Sequence, residues 1–147
     1  MYELVYRSVA VENITADDIL DILNEARDFN GKHDITGCLL FFNNEFVQIL
    51  EGEKEWVKLL FEKIKKDHRH TDVMLLNEDE KEERLFKQWN MAYYDINNNN
   101  QRETERLLFI RNFILAADIT ERPTQAISLF WHVAKELIAP WSLGQID

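Results

Sequence analysis

Three side chains stand out because their types could do chemistry where packing alone would ask for something greasier. "EFVQILEG", residues 45–52, alternates as a β-strand, so Phe46, Gln48 and Leu50 share one face while Val47 and Ile49 share the other. Gln48 is the polar exception in an apolar row. A buried amide has two acceptor and two donor positions, and leaving one unmet costs about 1–3 kcal/mol, so something polar must meet it. "YELVYRSV" is a second alternating run that puts Tyr6, another apolar body with a polar tip, on a face with Tyr2 and Leu4. Ile22, Ala26 and Asn30 follow at i, i+4 and i+8 along one helix, and Ile64 comes from another. Two aliphatic residues and one small residue leave a slot for a flat ring, and the Asn30 amide offers both a donor and an acceptor to a lactam-like C(=O)–NH edge.

The elements that position these residues are legible from periodicity and punctuation. "ITADDILDILNEARDFN" has Thr15 as N-cap with Asp18 three residues on, then Ile19, Ile22, Leu23, Ala26 and Phe29 at helical spacing, with a stop at Asn30-Gly31. "ITGCLLFFNNEFVQILEG" is two apolar strands around Asn43-Asn44, a two-residue hairpin turn. "EKEWVKLLFEKIKKDHRH" carries a stripe of Trp56, Val57, Leu60, Phe61 and Ile64 and ends in cations that suit the negative end of the helix dipole. A fourth strand, "DVMLLNED", and a fifth, "RLFKQWNMAYYDI", complete residues 1–96. The order β-α-β-β-α-β predicts an α+β, ferredoxin-like sandwich with both helices on one face of a mostly antiparallel sheet. Asn97–Asn100 break the pattern, and two amphipathic helices beyond them, "ETERLLFIRNFILAAD" and "TQAISLFWHVAKELIA", are expected to pack on the open sheet face.

Composition narrows the function. In 147 residues, 46% are hydrophobic and 12% aromatic, enough for one domain with a core. Lys+Arg 17 against Asp+Glu 27 gives a net charge of -10, which argues against a nucleic-acid partner. The lone Cys38 excludes an internal disulfide framework. No basic n-region with an apolar h-region opens the sequence and no apolar run is long enough to span a membrane, so the expected address is the cytoplasm and no membrane role is expected. "HRH", residues 68–70, lacks the Cys or carboxylate pattern of a zinc site, and His68 reads as a solvated helix-end residue, so no metal is expected.

Over residues 1–96 the chain resembles the BLUF family of flavin-binding blue-light sensors. The matching motifs are "LVYRS", "ILNEARDFN", "ITGCLLFFNNEFVQILEG", "IKKDHRH" and "FKQWNM", in the family's order. The resemblance implies that Tyr6 gives an electron and a proton to the photoexcited flavin and that Gln48 is the switchable amide between them. Asn30 would hold the N3/C4=O or C2=O side, and Ile22 and Ile64, with Ala26, would sandwich the ring. Lys63 aligns with a basic position near C2=O, and Asp67, Arg69 and His70 align with the polar cluster after the second helix. Trp89 and Met91 match a pair that relays the change; on spacing alone both would be core. The implied cofactor is FAD, with FMN or riboflavin as alternatives. Two departures are visible: Phe29 stands where some members have a polar residue that reaches the ribityl or phosphate chain, and Lys63 replaces an arginine fork by a point charge.

On this reading residues 1–96 are the photosensor core and 97–147 a helical extension for output or oligomerisation. The protein is expected to signal rather than catalyse, to a downstream protein partner or by forming a homo-oligomer. The competing reading is a small-molecule-binding or hydrolytic enzyme on the same fold; it lacks a phosphate-cradling glycine loop, since the glycines are only Gly31, Gly37, Gly52 and Gly144, and it lacks a defensible Ser/His/Asp or Cys/His set. A ferredoxin-like RNA-binding module is countered by the charge.

Overall fold

The alternating and helical runs fold in the expected order. The structure is a computed structural model that describes residues 1–42, 44–84, 86, 92–95 and 132. Its elements are β1 (Tyr2–Ala10), α1 (Ala16–Lys32), β2 (Thr36–Phe42), β3 (Glu45–Gly52), α2 (Lys54–Lys66), β4 (His70–Glu80) and β5 (Ala92–Asp95). The sheet order is β4-β1-β3-β2-β5. The first four strands pair antiparallel, as in the expected sandwich, and β5 joins the edge parallel to β2, with Cys38 opposite Ala92. Trp89, Met91 and the region 97–147 lie outside the described residues apart from His132, which is helical and exposed. Among the described residues no helix is long and apolar enough to cross a membrane.

Local chemistry explains the boundaries. Thr15 Oγ1 accepts from the Asp18 N–H while the Asp18 carboxylate accepts from the Thr15 N–H, the reciprocal cap read from the sequence. α1 runs past Asn30-Gly31 to Lys32, because the cap is His33, whose ring stacks on Trp56 of α2 at 3.8 Å and holds one more half-turn in helix. Asn44 takes the left-handed conformation, φ 61°, that a two-residue hairpin requires, and pairs Phe42 with Glu45 across the turn. Its side-chain amide donates to the Ala10 carbonyl at 2.8 Å, tying the turn to β1. α2 stops at Lys66 with Asp67 as cap, His68 lies exposed just past that end, and His70 opens β4.

Both sheet faces are buried. Tyr2, Leu4, Tyr6, Leu39, Phe46 and Leu50 meet Ile19 and Leu23 of α1 and Val57, Leu60 and Phe61 of α2. On the opposite face Val5, Cys38, Leu40, Val47 and Ile49 are equally enclosed. Burial pushes the Cys38 thiol well up, so it is an inert apolar group rather than a nucleophile. Glu3 and Glu51 share that face at 0% exposure. Lys81, just beyond β4, binds both carboxylates, reaching Glu3 at 2.6 Å, and the Phe86 N–H donates to Glu51 at 2.7 Å. Arg84 adds bonds to Thr36 Oγ1 at 2.9 Å and to Asp34. This polar seam ties the segment after β4 to β1, β2 and β3, with one ammonium shared by two carboxylates where water cannot reach.

Candidate functional site

Because β1 and β3 are the neighbouring central strands, their register decides which side chains meet. Tyr6 pairs with Gln48, and Gln48 pairs in turn with Leu39 of β2. All three point to the helix face. The Tyr6 hydroxyl donates to Gln48 Oε1 in a short, fully buried hydrogen bond. The oxygen of Gln48 accepts that hydrogen bond, and its NH2 group is the end that can only donate. Burial, reinforced by the negative charge of Asp67, pushes the Tyr6 phenol far above its ordinary range, so it is a neutral donor at any physiological pH.

These side chains form the floor of a cavity of about 330 Å³ between the two helices and the sheet. Ile22 and Ala26 line it from α1 and Ile64 from α2, as the helical spacing predicted, with Leu39, Phe46 and Leu60 completing the apolar wall. Such a volume, mostly apolar with a few convergent polar groups, is that of a small-molecule site. Lys63, Asp67, Arg69 and His70 also line it, so nine of the predicted site residues converge on one space. Asn30 is placed differently: it is wholly buried in the last turn of α1 and outside the lining set, and its carbonyl accepts from the His33 and Ile35 N–H groups.

The polar rim is built by the end of α2. Asp67 accepts from the Arg69 backbone N–H at 3.0 Å and from Nε and Nη2 at 2.9 and 2.6 Å. Burial alone would raise the Asp67 carboxyl, but the Arg69 bonds and charge outweigh it and hold the carboxyl below the ordinary carboxylate range. Arg69 is raised further above its already high value by the same bond and by Glu25. His70 is fixed at both nitrogens, with Nε2 donating to the Ile64 carbonyl at 2.5 Å and Nδ1 2.8 Å from Ser8 Oγ, so it locks the clamp residue Ile64 to β1. Its ring also stands edge-on to Tyr6.

Sequence reasoning did not place Glu25, Asp28, His33 or Trp56 at the site. Glu25 and Asp28 line the mouth, and Phe29, His33 and Trp56 form an aromatic stack between the helices with the Lys63 ammonium 4.4 Å over the Phe29 ring. The i, i+4 spacing of Phe29 and His33 was the available signal. Phe29, the departure noted above, faces the cavity with a ring where a polar contact was missing.

A flat apolar slot floored by a phenol–amide pair, its rim carrying Lys63 and Arg69 beside Glu25, Asp28 and Asp67, is a small-molecule site suited to a flat heteroaromatic ring with a polar edge. A sequence model of the BLUF family, described as sensors of blue-light using FAD, matches residues 1–92, and the chain belongs to that family. It is a blue-light sensor that binds flavin. Its relatives include the photoactivated adenylate cyclase subunit beta of Euglena gracilis, 37% identical over 90 residues, which cover 60% of this chain and 10% of that protein. The blue light- and temperature-regulated antirepressor BluF of Escherichia coli K12 is 33% identical over 93 residues, 63% of this chain and 23% of that one. The chain thus spans a tenth to a quarter of the length of these two relatives. Among solved structures, BlsA in its ground state is 35% identical with a TM-score of 0.66, covering 93% of this chain and 87% of BlsA. BlrB in its dark state is 27% identical with a TM-score of 0.65, covering 92% and 96%. The structure of Klebsiella pneumoniae BlrP1 with FMN and cyclic diGMP is 27% identical with a TM-score of 0.71, covering 95% of this chain and 35% of BlrP1.

Proposed function

We propose that Tyr6 is the photochemical donor of this sensor and Gln48 its switch, and that the light signal leaves through the strand-five region to a protein partner. The observation that carries the reading is the buried bond from the Tyr6 hydroxyl to Gln48 Oε1 on the floor of the cavity. The chemistry a bound flavin supplies is one-electron oxidation on absorbing blue light. Tyr6 holds the electron and proton to be moved, and Gln48 Oε1 is the first acceptor position for that proton. An amide that gains a proton on oxygen and loses one from nitrogen becomes its imidic tautomer. An amide that turns over exchanges its oxygen and its NH2. Either change reverses which end of Gln48 donates into the cavity, and that altered hydrogen bond is the stored signal.

Ile22 and Ile64 clamp the ring, with Ala26 leaving room between them. Lys63, Asp67 and Arg69 hold the polar side, His70 positions Ile64, and Asn30 stiffens the end of α1 from outside the lining, its amide meeting the ring edge only by turning towards the slot. The cofactor is FAD, with FMN or riboflavin able to use the same ring contacts. Trp89 and Met91 lead the change towards residues 97–147, read as a helical output and oligomerisation segment. The output is a protein contact rather than catalysis; the similarity to an antirepressor, a protein that acts on a repressor, supports a protein partner. Tyr6→Phe tests the core of this reading. The variant is expected to retain flavin and lose the normal red-shifted state; a wild-type photocycle in it would move the donor role to another residue.

A further inference from the structure

Arg69 divides its guanidinium between two carboxylates of different kinds. Asp67 is two residues away, 24% exposed, and bonded to the arginine through backbone and side chain alike. Glu25 reaches over from α1, bonds Nη2 at 2.7 Å and Nη1 at 3.4 Å, and keeps 67% of its side chain in water. The first contact is local and reinforced. The second is an exposed ion pair, worth little and easily exchanged. Yet the two-nitrogen edge presented to Glu25 is the edge a guanidinium uses to bind phosphate. Of the other groups at the mouth, Lys63 lies over the Phe29 ring and both His70 nitrogens are bonded.

We propose that Glu25 is an internal counter-anion that the phosphate of a flavin side chain must displace from Arg69, which makes residue 25 a determinant of how far the pocket prefers phosphorylated over unphosphorylated flavin. The inference rests on the flavin-site reading given above. Riboflavin and FMN share ring and ribityl chain and differ by the terminal phosphate alone, so the difference in their binding isolates this contact. A phosphate gains the Arg69 edge only as Glu25 releases it, and the neighbouring rim carboxylate of Asp28 adds like charge. Glu25→Gln removes the competing charge while Asp67 still holds the arginine in place.

The test is titration of the flavin-free chain with riboflavin and with FMN, read by quenching of flavin fluorescence, in wild type, E25Q and D28N. E25Q should bind FMN about two- to fivefold more tightly, the scale of one exposed ion pair, with riboflavin unchanged. That gain should shrink as salt is raised. D28N, whose carboxylate pairs with Lys32 at 3.2 Å instead, should give a smaller gain. An equal effect of E25Q on both flavins, or a D28N effect as large as that of E25Q, overturns the displacement. Wild type that takes up neither flavin removes the flavin reading itself and the proposal with it.

Discussion

Tyr6 of β1 stands directly across from Gln48 of β3, and its hydroxyl donates to the amide oxygen with both residues almost without solvent access. A strand register with period 2 fixes this pairing, because a slip of β1 by one residue would turn Tyr6 to the face opposite Gln48. The pair is therefore a fixed donor and a switchable acceptor, with freedom confined to the amide.

Replacing Gln48 with Leu removes the acceptor and leaves a buried hydroxyl unmet, at a cost of about 1–3 kcal/mol in stability. The apolar row it joins keeps the fold. We expect the variant to bind flavin and to show no reversible red shift, measured by absorption before and after blue illumination. An unchanged light-state spectrum would take the switch away from Gln48.

The raised phenol of Tyr6 gives a pH prediction with a definite sign. An unfolded tyrosine ionises near pH 10, whereas the buried one stays protonated well beyond it. Its contribution to stability is thus fully present below about pH 10 and lost as the pH climbs above it. The amplitude of the light-induced shift should be the same at about pH 7 and about pH 9.5. A titration of that amplitude with a midpoint below 9 would show that the phenol ionises in the folded chain. Asp67 works in the opposite direction, its lowered carboxyl contributing stability that is present above about pH 4 and lost as the pH falls through its folded value.

Much of this arrangement could be read in advance, for reasons that vary with the residue. The parity of Tyr6 and Gln48 followed from strand alternation, and the Thr15–Asp18 cap from a local motif, since each depends on neighbours within a few positions. The slot formed by Ile22, Ala26 and Ile64 needed only helical spacing and the sandwich order. Long-range ionic pairings were opaque. Glu25 and Arg69 are 44 positions apart, and nothing local links a mid-helix carboxylate of α1 to an arginine after α2. Glu3 and Glu51 look like surface residues, and only the sheet order places them on a buried face beside Lys81. Asn30 shared a helical face with the slot, but its position in the last turn, where the chain turns into β2, encloses it outside the lining.

That seam yields a stability prediction separate from the photochemistry. Lys81→Met keeps the aliphatic stem and removes the cation shared by two enclosed carboxylates, which should cost about 3–5 kcal/mol in urea unfolding. Adding Glu3→Gln should recover a portion of the loss, because one of the two uncompensated charges is then gone. A loss below about 1 kcal/mol for the single variant would mean that the carboxylates reach water or another cation.

The central claim is that the Tyr6–Gln48 pair lies beside a flavin and is switched by light. The absorption spectrum of the purified protein in darkness and immediately after blue illumination tests it most directly. The expected result is a flavin spectrum that moves slightly to the red and returns in the dark. A colourless protein that cannot take up flavin, or bound flavin with no reversible shift, would contradict it.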